Sequence, residues 1–183
     1  FGLPGTGGLC VADDAEIEGT IYGGTGVRSA HPYHLEEYPY RLEAGTLNLA
    51  GVAGLCAGVE WVMERGVEKI HAHEMELLEL LQEGLSDIPG VTLYGTTKLE
   101  NRVPTLSMTV ENYDAADVGA FLDVDHDVLT RTGLHCAPLI HEHYGTTPRG
   151  TVRFSVGPFN TADHIHHALK AVETIQAQRP VGV

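Results

Sequence analysis

Residues 128–156 read VLTRTGLHCAPLIHEHYGTTPRGTVRFSV. The stretch predicts a strand, a short helix and a second strand. VLTR (128–131) and TVRFSV (151–156) are short runs rich in branched and aromatic residues, which suit a pleated sheet. HCAPLIHEHY (135–144) between them reads as a short helix. Working outward, VTLYG (91–95) and VPTLSMTV (103–110) predict strands, and DAADVGAFLD (114–123) predicts a helix with Asp114 at its N-cap. Thr161 opens a last helix that runs to about Gln176. The order is β–β–α–β–α–β–α, a compact α/β unit of ordinary domain size.

Upstream the pattern changes. LNLAGVAGLCAGVEWVMERG predicts a buried helix over about 47–65 that stops at Gly66. In the next helix Leu77, Leu78, Leu81 and Leu85 share a face opposite many acids, and Pro89–Gly90 ends it. FGLPGTGG (1–8) and TIYGGTGVRS (20–29) are glycine-rich loops, and LCVA (9–12) fits a short buried strand. These first elements cannot close a core by themselves. The domain boundary is therefore expected in the second helix, giving residues 1–75 and 76–183.

Bulk properties exclude several classes. The 183 residues carry 11 basic and 25 acidic groups, a formal charge of −14. The basic residues are scattered, which argues against nucleic acid and anionic membrane as partners. No apolar run approaches the ~18 residues of a membrane span. Cys10, Cys56 and Cys136 form no CxxC, so a reducing cytoplasm is expected rather than a disulfide framework. Residue 1 is Phe, and the sequence is expected to be a piece of a longer chain.

Three sets of residues could carry chemistry. Cys136 stands at the start of a predicted helix, where free N–H groups favour a thiolate, and Arg131 and His135, close in sequence, are expected to add positive potential. It is either a nucleophile or a buried inert thiol; Cys10 and Cys56 take the inert reading. Arg153 sits inside an apolar strand, where a charge is costly unless paired. It is either a fork for a substrate carboxylate or half of an internal ion pair. The histidines (71/73, 141/143, 164/166/167) lack metal-ligand spacing, so they are expected on solvated faces and no metal is expected. GTGG and GGTG are weak phosphate-loop signals without GxxxxGK[ST].

The residues together resemble a known family. RTGLHCAPL, VRFSVGPFNT and the terminal helix resemble the C-terminal part of class V aminotransferase-like enzymes, which are fold-type-I α/β proteins that use pyridoxal phosphate. The resemblance is greatest to cysteine desulfurases and selenocysteine lyases. GGTGVRS and RLEAGTLN resemble the end of the family's large domain, and FGLPGTGGLCV the segment after the cofactor-holding lysine. The resemblance implies that 1–75 is a remnant of the cofactor-binding domain with a linking helix, and 76–183 the small domain. It implies that Cys136 takes sulfur from cysteine as a persulfide, leaving alanine. Arg153, and less directly Arg131, would bind the amino-acid substrate. Thr46, with Gly45, would bind the cofactor phosphate, across a homodimer interface, and a protein could accept the sulfur.

Leu134 stands where the desulfurase pattern often has a second histidine, and Leu47 where it has proline. Lys69, Lys98 and Lys170 do not match the cofactor lysine, which would lie before Phe1, so residues 1–183 alone are expected to be inactive. The alternatives are a class V aminotransferase or lyase without sulfur transfer, or a non-catalytic domain.

Overall fold

A computed structural model of the chain describes residues 1–178. The chain divides into two compact units, Phe1–Gly66 and Val67–Val183.

The first unit is mostly loop, with a single long helix, α1 (Leu49–Arg65). Asn48 caps α1, its side-chain oxygen accepting from the Gly51 N–H at 3.0 Å. Gly66 ends it at φ 84°, a conformation that favours glycine. The expected helix is present but not buried: Gly51 is its only buried residue, and Leu49, Val52, Val59 and Met63 are exposed. LCVA forms no strand. A strand exists only with a partner, and no other strand lies among the described residues of this unit. Cys10 and Cys56 are exposed, so the buried reading fails for both. The loops are tied locally: His34 contacts the Gly23 and Arg41 carbonyls at 3.0 and 3.1 Å.

The second unit carries the core. Its elements are α2 (Val67–Ser86), β1 (Val91–Tyr94), β2 (Thr105–Val110), α3 (Ala115–His126), β3 (Arg131–Gly133), α4 (Pro138–Tyr144), β4 (Thr151–Ser155) and α5 (Ala162–Ala177). The strands form one antiparallel sheet in the order β1-β2-β4-β3. β2–α3–β3 is thus a crossover with β4 inserted between its strands. Alternation decides the faces. Leu106, Met108, Val110, Val152 and Phe154 are buried and pack with the apolar stripes of α2, α3 and α5. Leu78, Val118, Leu122 and Val172 are wholly buried in that layer. At about 25 cal/mol per Å² of apolar surface, this one-sided burial is the dominant favourable term for the unit.

Beside the site, β3 and α4 each start three residues later than expected. β3 begins at Arg131 because the end of α3 still holds the preceding chain. Asp127 is left-handed (φ 55°) and donates its N–H to the Asp123 and Leu122 carbonyls, while the Val128 N–H bonds to the Leu122 carbonyl at 2.8 Å. α4 begins at Pro138, not His135. Proline suits the first helical position and drives the residue before it out of the helical region. Ala137 accordingly lies at φ −130°, and His135 and Cys136 lie at φ 51° and 59°.

Candidate functional site

The face of the sheet opposite the long helices carries the candidate residues. Tyr94 pairs with Ser107, Ser107 with Arg153, and Arg153 with Arg131, so one row crosses all four strands. Two guanidinium-bearing residues therefore stand directly opposite each other on β4 and β3. Like charges in that position destabilise a sheet. Arg153 lines a cleft of about 310 Å³ together with Tyr94, Ser107, His135, His141 and Thr151. No acidic side chain lines this cleft. The buried Nε of Arg153 has no hydrogen-bond partner.

Cys136 sits beside this row. The Arg131 Nη2 lies 3.7 Å from its Sγ. The thiol is exposed, which the inert reading did not expect. It also stands two residues ahead of α4, in a left-handed turn, so the expected support from a helix start is not what positions it. Arg131 supplies the nearby positive charge instead.

His135 was expected to add positive charge, and the structure corrects this. Burial holds its pKa below the ordinary histidine value, and the Arg153 guanidinium lowers it further; His141 and Arg131 act in the same direction, against a contact with Thr151. The ring is thus held neutral. Its Nε2 lies 3.2 Å from the Thr151 Oγ1, and Thr151 is itself buried. His141, expected on a solvated face, is buried, with its Nδ1 2.7 Å from the Thr146 Oγ1. The two imidazoles lie 5.7 Å apart between centroids. The sequence offered one signal for this: Pro138 places α4 so that His141, on its second turn, faces the loop that Thr146 begins. The other histidines follow different patterns; His73 contacts the Asn160 carbonyl at 3.0 Å and His167 the His126 carbonyl at 2.7 Å. Among the described residues no group of three or more His, Cys, Asp or Glu is gathered as a metal site.

Gly45 and Thr46 belong to the first unit. Gly45 takes φ 91° with open space where a side chain would stand, and its N–H bonds to the Gly24 carbonyl at 2.7 Å. Thr46 is exposed two residues ahead of the α1 N-cap. The exposed Thr46 hydroxyl, beside a glycine turn with open space, is a donor that fits a phosphate group.

Comparison with known proteins bears on these residues. The aminotransferase class-V family matches residues 1–167. A protein of Methanothermobacter thermautotrophicus named "Probable cysteine desulfurase" is 35% identical over 180 residues, covering 96% of this chain and 44% of its own length. A cysteine desulfurase of Salmonella agona is 34% identical over 137 residues, covering 75% of this chain and 32% of its own. The solved apo structure of the cysteine desulfurase from Thermococcus onnurineus superposes with a TM-score of 0.72 at 32% identity, over 88% of this chain and 38% of that one. The chain thus spans less than half the length of the relatives it matches.

Proposed function

The chain belongs to the aminotransferase class-V family, and from that premise we propose that it is part of a pyridoxal-phosphate-dependent cysteine desulfurase, in which Cys136 takes the sulfur. The fold-type-I α/β architecture agrees with the solved desulfurases it resembles. One observation carries the reading: Arg153 lines a cleft with no carboxylate in it, Arg131 stands opposite Arg153 across β3 and β4, and Cys136 lies 3.7 Å from Arg131. A paired cationic notch that costs sheet stability is suited to an anionic ligand brought from outside. An exposed thiol at its edge is placed to react with what that ligand carries.

In this reading 1–75 is the end of the cofactor-binding domain and 76–183 the small domain. Gly45 and Thr46 hold the cofactor phosphate. Pyridoxal phosphate, when bound, supplies an electron sink for the carbon skeleton of the substrate. Arg153 grips the carboxylate of cysteine, and Arg131 stands over the thiol and the substrate's charged end. The Cys136 thiolate attacks the substrate sulfur. The carbon–sulfur bond breaks, its electron pair stays with carbon, and a proton completes alanine. Cys136 is left as a persulfide, oxidised by the two electrons that carbon gains, and passes the outer sulfur to an acceptor protein. The reading extends to a homodimer in the cytoplasm. Three unpaired thiols, and the lack of any described helix long and apolar enough to cross a membrane, are in keeping with it.

The test uses the full-length protein. Cys136→Ala is expected to lower sulfide release from cysteine by more than about a hundredfold, while affinity for alanine stays within about twofold. Sulfide release at the parent rate in that variant would sink the proposal.

A further inference from the structure

His135 Nδ1 and Arg153 Nε are both buried and both without a hydrogen-bond partner, and both side chains line the same cleft. Buried polar atoms left unpaired are rare and costly, so each calls for an explanation. They are complementary. With the Nε2 proton donated to the Thr151 Oγ1, 3.2 Å away, the neutral ring keeps its lone pair on Nδ1 as an acceptor. The Arg153 Nε–H is a donor with no acceptor. Neither atom is open to solvent, so a carboxylate entering the cleft meets the Nη groups of Arg153 rather than its Nε.

We propose that His135 is a positioning residue for Arg153: its Nδ1 accepts the Arg153 Nε–H when an amino-acid substrate is bound, which turns both Nη groups toward the substrate carboxylate. The inference rests on the substrate role given to Arg153 above. It adds a function for the residue next to the thiol. The backbone agrees with this. His135 and Cys136 are consecutive left-handed residues (φ 51° and 59°), so one turn sends the imidazole inward to Thr151 while the thiol stays exposed. A left-handed backbone is unfavourable for a residue with a side chain, and here the tie to Thr151 helps to hold it. Holding the ring neutral matters, because a proton on Nδ1 would turn the acceptor into a donor facing Arg153. The charged or titratable groups around the ring are Arg153 on β4, Arg131 on β3, His141 on α4 and the neighbouring Cys136, with Tyr94 and Tyr144 also lining the cleft.

Two substitutions separate the ring nitrogens. His135→Asn places an amide oxygen near the Nδ1 position, and His135→Gln places one near Nε2. In the full-length holoenzyme, alanine affinity measured by calorimetry is expected to fall about tenfold in His135→Gln, the worth of a charge-assisted hydrogen bond. It is expected to stay within about threefold of the parent in His135→Asn. Alanine carries the carboxylate but no sulfur, so this result stands or falls apart from the desulfurase reading. The parent protein should also lose alanine affinity on acidification through the range below the ordinary histidine value, and His135→Asn should not. Equal affinities in parent and His135→Gln, or an acid loss unchanged in His135→Asn, would overturn the proposal. A far-ultraviolet spectrum and an unfolding midpoint matching the parent confirm that His135→Gln is folded; if it is not, Thr151→Val replaces it, with the acid loss moved to still lower pH as the expected result, because the Thr151 contact favours the protonated ring, and an unmoved acid loss as the result that overturns the proposal.

Discussion

The two long helices that meet at Gly66 differ in a way that composition alone would misjudge. α1 (LAGVAGLCAGVEWVMER) holds few charges, and α2 (VEKIHAHEMELLELLQEGLS) holds many. Yet α2 buries Leu77, Leu78, Leu81 and Leu85, and α1 buries only Gly51. The core forms where an apolar stripe meets a sheet that presents its own apolar face, and only the second unit has a sheet. Apolar content makes a helix able to be buried; a partner surface decides whether it is.

The largest expected effect breaks this comparison most directly. Leu78 is wholly buried between α2 and the sheet. Leu78→Ala in the 183-residue chain should cost about 3 kcal/mol, as removal of a core leucine does. Leu49→Ala, at a position 70% exposed, should stay within about 0.5 kcal/mol. Urea unfolding of both variants measures the contrast. Similar losses would mean that α1 belongs to the same cooperative core.

A smaller effect sharpens the comparison at the level of backbone. Gly150 and Gly26 have nearly the same left-handed φ, 73° and 75°. A methyl group on Gly150 would meet the Gly133 carbonyl carbon and oxygen at 2.2 Å, where β3 and β4 come together, whereas Gly26 has open space. Gly150→Ala should therefore cost about 2 kcal/mol or more, from conformational strain plus a clash with rigid backbone. Gly26→Ala carries the strain alone, about 1–2 kcal/mol. It should leave the main transition nearly unmoved, because that transition reports the second unit. A shift of the same size from both would show that φ alone controls the cost.

Much of this was legible in the chain itself. The leucine spacing of α2 and the alternation in TLSMTV and TVRFS follow from local periodicity, and periodicity survives whatever the tertiary fold does. Arg153 stood out because a charge between apolar neighbours needs a reason; its opposition to Arg131 deepens that need, and the proposed substrate carboxylate would answer it. The errors have physical causes. LCVA looked like a strand because β propensity is local, whereas a strand needs a partner. The helix start was set at His135, three residues ahead of its true start, because apolar content outweighed Pro138, which fixes the first turn. His141 was read as solvated because its partner Thr146 meets it only after the chain turns at Gly145, and Pro138, which sets the phase of α4, was the one cue to the contrary. His135 was read as a cation from its sequence neighbours, and the cations that matter, on strands β3 and β4, are what keep it neutral.

The smallest expected effect returns to that histidine and to the cationic face of the sheet, which sets it apart from the apolar face. Burial first, then Arg153, holds the folded-state pKa of His135 below its ordinary value of 6.5. On acidification the unfolded chain therefore takes up this proton before the folded chain does. The stabilisation is present in full above the ordinary value and is lost as pH falls from there toward the lower, folded value; below that no further loss comes from this group. Carboxylates titrate as well, so the quantity to measure is the difference between parent and His135→Asn. Between pH 7 and 5 the unfolding midpoint of the parent should fall more steeply than that of the variant. If the slopes of parent and His135→Asn coincide, the ring is not held neutral by its neighbours, and the contrast between the apolar face of the sheet and its cationic face loses its electrostatic content.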